Sequence, residues 1–266
     1  MQRSTNVKPS TVERLALSGG TLRLITAGDG PALVYLHGTG DQGSLLPVFA
    51  TLAEQYRIVR PDHPGFLQSD DFRPAITSIA EIAAVHEQLL DELGIDEFVL
   101  VGCSLGGWVA AELALRIPHR VRRLVLIDPV GLAGDGSAPN LFDLTSEQAL
   151  VATVHDEGRR AAARSAAPDP QVAAGLARSR AAAQRLAGDP YMHDPSLAGR
   201  LGSLALPVEL VWGDDDGIVP VSYARFWLDA LPQAHLTVVP DAGHLPHVEQ
   251  PQAVRDVLTR EAPAWS

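Results

Sequence analysis

Short apolar stretches, separated by helix-length segments, are what most restrict the fold of this 266-residue chain. They run Ala32–Leu36, Arg57–Arg60, Phe98–Val101, Leu124–Ile127, Val208–Trp212 and His235–Val239. Each stops at residues that end strands: His37-Gly38, Pro61-Asp62, Gly102, Asp128-Pro129, Gly213 and Pro240. Near-continuous Leu and β-branched runs suit strands buried on both faces, as in a parallel sheet between two helical layers. The intervening segments have the other period. After Pro74, apolar residues fall at Ile79, Ile82, Val85, Leu89 and Leu93, one face of a helix. Ser78 and Glu81 form a capping box at its start, and Gly94 closes it. Alternation of this kind predicts an α/β fold with a mostly parallel central sheet flanked by helices. The opening segment, Val12–Thr26, instead alternates apolar and polar residues around Gly19-Gly20, which predicts an antiparallel hairpin on the sheet edge.

The alternation stops after Leu132 and resumes near Leu197. No strand-like run lies between. A loop, Gly131–Asn140, leads into helical patterns from Thr145 (a capping box with Gln148) and from Asp169 to Gly188. The stretch is too long for one ordinary crossover. It predicts a helical lid, residues 132–197, inserted into a core formed by residues 1–131 and 198–266.

Charge and composition then exclude several functions. Thirty-two acidic against 21 basic residues leave a net charge of −11. That opposes a nucleic-acid partner, which needs a basic footprint, and docking on anionic membranes. The single cysteine, Cys103, cannot form an intramolecular disulfide or a cysteine zinc cage. The first residues, Met1–Lys8, are polar and carry no apolar signal core, and no run approaches the ~20 apolar residues of a membrane helix. The expectation is a soluble cytoplasmic protein acting on a small molecule, without metal or organic cofactor. Oligomeric state is not encoded in any of these features.

Gly102-Cys103-Ser104-Leu105-Gly106-Gly107 follows one apolar run and precedes a helical pattern, Trp108–Arg116. A G-x-S-x-G turn between strand and helix lifts its serine above the sheet edge, and the helix N-terminus favours developing negative charge there. Ser104 is therefore the candidate nucleophile. Cys103 sits one position early and reads as a packed thiol. A serine hydroxyl needs a general base, usually a histidine oriented by a carboxylate. Of nine histidines, His244 lies on the loop leaving the last run, where a base can overhang the site; His247 is the alternative. For the acid, Asp214, Asp215 and Asp216 follow the run ending at Trp212, and spacing does not choose among them. Asp128, after the preceding run, is a further candidate. The backbone N–H of Leu105 and one from the loop His37-Gly38-Thr39-Gly40, at Thr39, are candidate oxyanion donors.

Together these residues resemble the α/β-hydrolase superfamily, in its lidded branch of esterases, C–C bond hydrolases and dehalogenase-like enzymes. The resemblance covers the chain outside residues 132–197. It rests on His37-Gly38, Asp62-x-Pro64-Gly65 continuing to Ser69-Asp70, the Ser104 turn, Trp212-Gly213-x-x-Asp216 with Pro220, and Gly243-His244-x-Pro246-x-x-Glu249-x-Pro251. The alignment selects Asp216 as the acid and implies a Ser104–His244–Asp216 triad. It also implies an apolar pocket, with Gly38, Phe66, Tyr191, Met192, Val219 and Leu245 as its expected contacts.

Three positions depart from the family pattern. Dehalogenases and epoxide hydrolases carry an aspartate nucleophile, so Ser104 argues against both. C–C hydrolases usually have Asn before the nucleophile and often an aromatic after the histidine, where this chain has Cys103 and Leu245. Leu67 stands where the family commonly has glycine. The implied activity is cleavage of a small carboxylic ester through an acyl-enzyme. C–C bond or enol-lactone hydrolysis of ring-cleavage products, acyl transfer, and ligand capture by a non-enzymatic receptor on the same fold are the rivals.

Overall fold

The computed structural model describes residues 10–167 and 169–260; the polar Met1–Lys8 start lies outside them. Eight strands form one sheet: β1 (Thr11–Leu17), β2 (Gly20–Ala27), β3 (Ala32–Leu36), β4 (Arg57–Pro61), β5 (Phe98–Cys103), β6 (Val121–Ile127), β7 (Val208–Gly213) and β8 (His235–Val239). Their order is β1-β2-β4-β3-β5-β6-β7-β8. β1 and β2 form the antiparallel edge hairpin, and β2 pairs antiparallel with β4. All other neighbours are parallel.

The described residues also form ten α-helices: α1 (Pro47–Leu52), α2 (Ile79–Glu92), α3 (Leu105–Arg116), α4 (Ser146–Thr153), α5 (Glu157–Ser165), α6 (Pro170–Ala187), α7 (Leu197–Leu201), α8 (Ala224–Ala230), α9 (Pro246–Glu249) and α10 (Pro251–Thr259). The capping boxes expected at Ser78–Glu81 and Thr145–Gln148 are both formed. Gly94 takes φ +60° just past α2, the left-handed conformation that ends a helix without a Cβ penalty.

The strands divide their side chains between two cores. Val34, Leu36, Leu100, Leu124, Leu126 and Leu210 pack with α2, α3 and α8 on one face. Leu33, Tyr35, Val101, Val125, Ile127 and Val211 pack with α1 and α10 on the other. Two buried faces explain why these strands read as unbroken apolar runs rather than alternating ones.

β6 begins three residues before its apolar run, because Arg123 is buried. Its guanidinium donates to the carbonyls of Val257 (3.0 Å) and Arg260 (3.1 Å) and lies 3.5 Å from Glu209. Among the described residues between β6 and β7 the chain forms α4 to α7 and no strand, only the isolated bridges Gly131–His193 and Gly188–Tyr191. Among the described residues no helix is long and apolar enough to cross a membrane.

From β3 the sheet grows in both directions, to β4 on one side and β5 on the other. Such a switch leaves a crevice at the carboxyl ends of the two central strands, where open α/β sheets bind ligands. The loops leaving β3 and β5 carry His37–Gly40 and Ser104.

Candidate active site

Ser104 joins β5 to α3 with φ 54° and ψ −121°. A non-glycine residue held there costs on the order of 1–3 kcal/mol, so the surroundings must enforce it. The Ser104 N–H donates to Ile127 O (2.9 Å), and Ser104 O accepts from Gly107 N (2.9 Å) and Val130 N (3.3 Å). The small flanking residues are a steric necessity. A Cβ on Gly106 would lie 2.2 Å from Leu36 O and 2.5 Å from His37 O, and one on Gly102 would lie 2.3 Å from Gly106 O. Leu105 is the first residue of α3, so its N–H has no partner within the helix. Cys103 is fully enclosed, and burial pushes its thiol pKa well up, so it stays an unreactive thiol.

The three adjacent aspartates separate as soon as the β7 loop turns. Asp214 and Asp215 are exposed, while Asp216 is buried. Asp216 Oδ1 accepts from the N–H groups of Ile218 (2.8 Å) and Val219 (2.9 Å), and Oδ2 pairs with His244 Nδ1 at 2.7 Å. That contact leaves Nε2 as the free ring nitrogen of His244. The rival His247 faces the other core: its Nε2 lies 3.1 Å from Tyr35 Oη, and burial lowers its pKa to about 4.

Asp128, the other acid candidate, is fully buried beside this pair. One oxygen each of Asp128 and Asp216 and a nitrogen of His244 lie within 4.8 Å of one another. The spacing alone would accommodate a cation, but the 2.7 Å contact between Nδ1 and Oδ2 is a hydrogen bond that a cation there would have to displace.

The loop after β3 meets Ser104 at Gly38, where an added Cβ would lie 3.1 Å from Ser104 Cβ. Thr39 is buried, and its hydroxyl has no partner among the described residues. Two networks that sequence reasoning did not find support this loop. In the first, Asp41 pairs with the buried Arg60 at 2.5 Å. Arg60 also binds Asp62, and Arg23 bridges Asp62 and Gly43 O. Burial opposes ionisation of Asp41, but Arg60, His37 and the Gly43 N–H together outweigh it and lower the pKa. In the second, His37, His63 and His86 form a buried chain. His37 Nε2 accepts from His63 N (3.2 Å) and its Nδ1 donates to Gly38 O (2.8 Å). His63 Nε2 donates to His37 O (2.9 Å), so its Nδ1 accepts from His86 Nε2 (2.7 Å). Accepting the His63 N–H fixes the neutral tautomer of His37, and burial, which lowers the pKa of all three, favours the neutral form of His63 and His86 as well.

The expected pocket contacts occupy varied settings. Phe66 is fully buried, edge-on to His63 and His37. Tyr191 ties together the stretch between β6 and β7: its hydroxyl donates to Pro139 O (3.1 Å) and accepts from Leu141 N (2.8 Å). Met192 takes φ +52° and bonds through its backbone to Ala187 O and Gly131 N. Val219 donates to Asp216 and accepts from Trp212 Nε1 (2.8 Å). Leu245, partly buried, is the N-cap of α9.

The sequence also gave no role to Glu249 or His155. Glu249 accepts from Gly243 N (2.8 Å), His155 N (3.2 Å) and Asp156 N (2.9 Å), fastening the α4–α5 connection to the His244 loop. His155 pairs with Asp215 at 2.8 Å, and this hydrogen bond raises its pKa.

A mostly parallel sheet, a serine on a strained strand-to-helix turn, and an Asp–His pair on the last two strand-exit loops are the architecture of an α/β hydrolase. A family model described as alpha/beta hydrolase fold matches residues 31–251, and the chain belongs to that family. Its relatives include the 2-hydroxy-6-oxo-6-phenylhexa-2,4-dienoate hydrolase of Burkholderia cepacia, 28% identical over 92% of both chains. The pimeloyl-[acyl-carrier protein] methyl ester esterase of Nitrosomonas europaea is 30% identical over 87% of this chain and 96% of its own. Among solved structures, the 2-hydroxy-6-oxo-6-phenylhexa-2,4-dienoate hydrolase of a Rhodococcus species superposes with a TM-score of 0.74. It is 26% identical and covers 93% of this chain and 98% of its own. Both of these relatives are hydrolases, and the protein is an enzyme of that class.

Proposed function

We propose that the protein is a serine hydrolase that cleaves a small carboxylic ester through an acyl-enzyme. The observation that carries this is the 2.7 Å pair of His244 Nδ1 and buried Asp216, together with the strained turn that holds Ser104 between β5 and α3. His244 Nε2 removes the Ser104 proton, and Ser104 Oγ attacks the ester carbonyl. The oxyanion is held by the N–H groups of Leu105 and Thr39. His244 then protonates the leaving alcohol, and water repeats the sequence on the acyl-enzyme while Asp216 stays ionised and orients the ring.

Residues 132–197 act as the lid. Ala152 O accepts from Gly217 N (2.9 Å) and Thr153 O from His244 N (2.8 Å), so the end of α4 rests on the loops that carry the acid and the base. The test is Ser104→Ala: turnover of a short p-nitrophenyl ester and labelling by a fluorophosphonate should both vanish in a protein that still folds. Retained turnover would sink the reading, and a folded wild type that takes no label would favour the receptor.

The dienoate-hydrolase relatives favour a second reading, C–C bond hydrolysis by the same three residues, against which Cys103 and Leu245 stand. Relative rates on a ring-cleavage dienoate and on simple esters separate the two.

A further inference from the structure

Asp128 is a carboxyl group that the ester-hydrolysis reading leaves without a role. It follows β6 directly, with φ +44° and no solvent exposure. Its Oδ1 accepts from Gly213 N at 3.0 Å, and its Oδ2 has no hydrogen-bond partner among the described residues. Three titratable groups face it: Cys103 at the end of β5, Asp216 after β7 and His244 after β8. Two carboxylates so close in a buried site do not both ionise. Which one stays charged follows from their donors. Asp216 accepts three hydrogen bonds, from Ile218 N, Val219 N and His244 Nδ1, whereas Asp128 accepts one. The better-solvated anion is Asp216, so the proton belongs on Asp128.

We propose that Asp128 is a positioning residue whose carboxyl group stays protonated at neutral pH and donates its proton to the Asp216 carboxylate, holding it behind His244. One proton then satisfies the bare Oδ2 of Asp128 and adds a fourth donor to Asp216. Burial, followed by the negative charge of Asp216, pushes the Asp128 pKa well above the usual carboxylate range. The site keeps a single net negative charge, and the second carboxyl contributes geometry rather than charge. The effect on turnover rests on the triad proposed above; the protonation state does not.

The experiment compares wild type, Asp128→Asn and Asp128→Ala as full-length protein. In the infrared spectrum at neutral pH, wild type should show a protonated-carboxyl C=O stretch that Asp128→Asn removes. Asn keeps a donor toward Asp216, so kcat should stay within about threefold of wild type and the acid limb of the pH profile should not move. Ala removes the donor, and kcat should fall about ten- to a hundredfold at similar KM, the size of one hydrogen bond to a charged group. Absence of the infrared band overturns the proposal, as does an Asn variant as impaired as Ala or one with a shifted acid limb. If Ala does not fold, the band and the Asn profile decide alone. If Ser104→Ala leaves turnover intact, the triad reading fails while the band still tests Asp128.

Discussion

Arg60 and Asp41 meet at 2.5 Å with the arginine side chain wholly enclosed, and this pair ties the loop after β3 to the strand beside it. Asp41 Oδ1 also accepts from Gly43 N at 2.7 Å, and Asp41 N donates to Gly38 O at 3.3 Å. Removing one partner of a buried pair leaves the other as an uncompensated charge. Arg60→Met should therefore destabilise the fold by about 3–5 kcal/mol, measured by urea unfolding. Asp41→Asn keeps the loop's shape better, so it should cost less stability and act mainly on kcat. Equal stability losses in the two variants would contradict this account.

Glu249 shows what its motif position does. Its carboxylate gathers three backbone donors, two of them from the α4–α5 connection. Glu249→Gln turns one oxygen into an amide that repels an N–H, costing about 2 kcal/mol. The connection around Val154–Asp156 should then be cut faster by limited proteolysis, and KM should rise. Unchanged cleavage there would mean that the His155 and Thr153 contacts suffice.

Asp216→Asn should lower kcat on the order of 10⁴-fold, because an amide toward Nδ1 favours the wrong histidine tautomer. The hydrogen bonds to Ile218 and Val219 use Oδ1, so the loop should keep its shape and the melting temperature should change little. Steady-state kinetics beside a thermal melt checks both halves.

Much of the framework was legible because its signals are local. Ala32–Leu36 and His235–Val239 are strands to the residue, and both capping boxes need only their own four residues. The Asp216–His244 pairing required the resemblance, since three equivalent aspartates differ only in how the turn aims them. Contacts between distant segments left no mark on the sequence. Arg60 looks like an ordinary strand-edge charge until Asp41 and Asp62 are placed beside it. The first strand residues of β6 were hidden because Arg122-Arg123 interrupts the apolar run, yet Arg123 is anchored by carbonyls of the C-terminal helix region.

Two glycines test the steric account of the Ser104 turn. At Gly106 a methyl group would meet the carbonyl oxygens of Leu36 and His37, which belong to the central strand and its exit and cannot yield. Gly106→Ala should cost about 3 kcal/mol and lower the soluble yield. Gly199, exposed within α7, has nothing within 4 Å of an added Cβ, so Gly199→Ala should stabilise by about 0.5–1 kcal/mol. Thermal melts of the two variants should shift in opposite directions.

The buried histidines predict acid sensitivity. Burial holds His37 and His247 at about 4, against an ordinary value of 6.5, and also lowers His63 and His86 well below that ordinary value. Between these values the unfolded chain binds protons that the folded chain refuses, so stability rises with pH. It is complete above about pH 6.5 and is lost as pH falls toward 4. Asp128 runs the other way, since its raised pKa keeps a proton on the folded state. His155, raised by Asp215, loses its contribution as pH rises. Four histidines against these two leave the sum positive. At pH 5, His37 and His247 should each remove about 2 kcal/mol of unfolding free energy. His247→Gln, which keeps a partner for Tyr35, should recover about 2 kcal/mol of that loss between pH 7.5 and 5. Urea unfolding at the two pH values measures it, and a variant that loses as much as wild type would show that His247 is not part of the acid response.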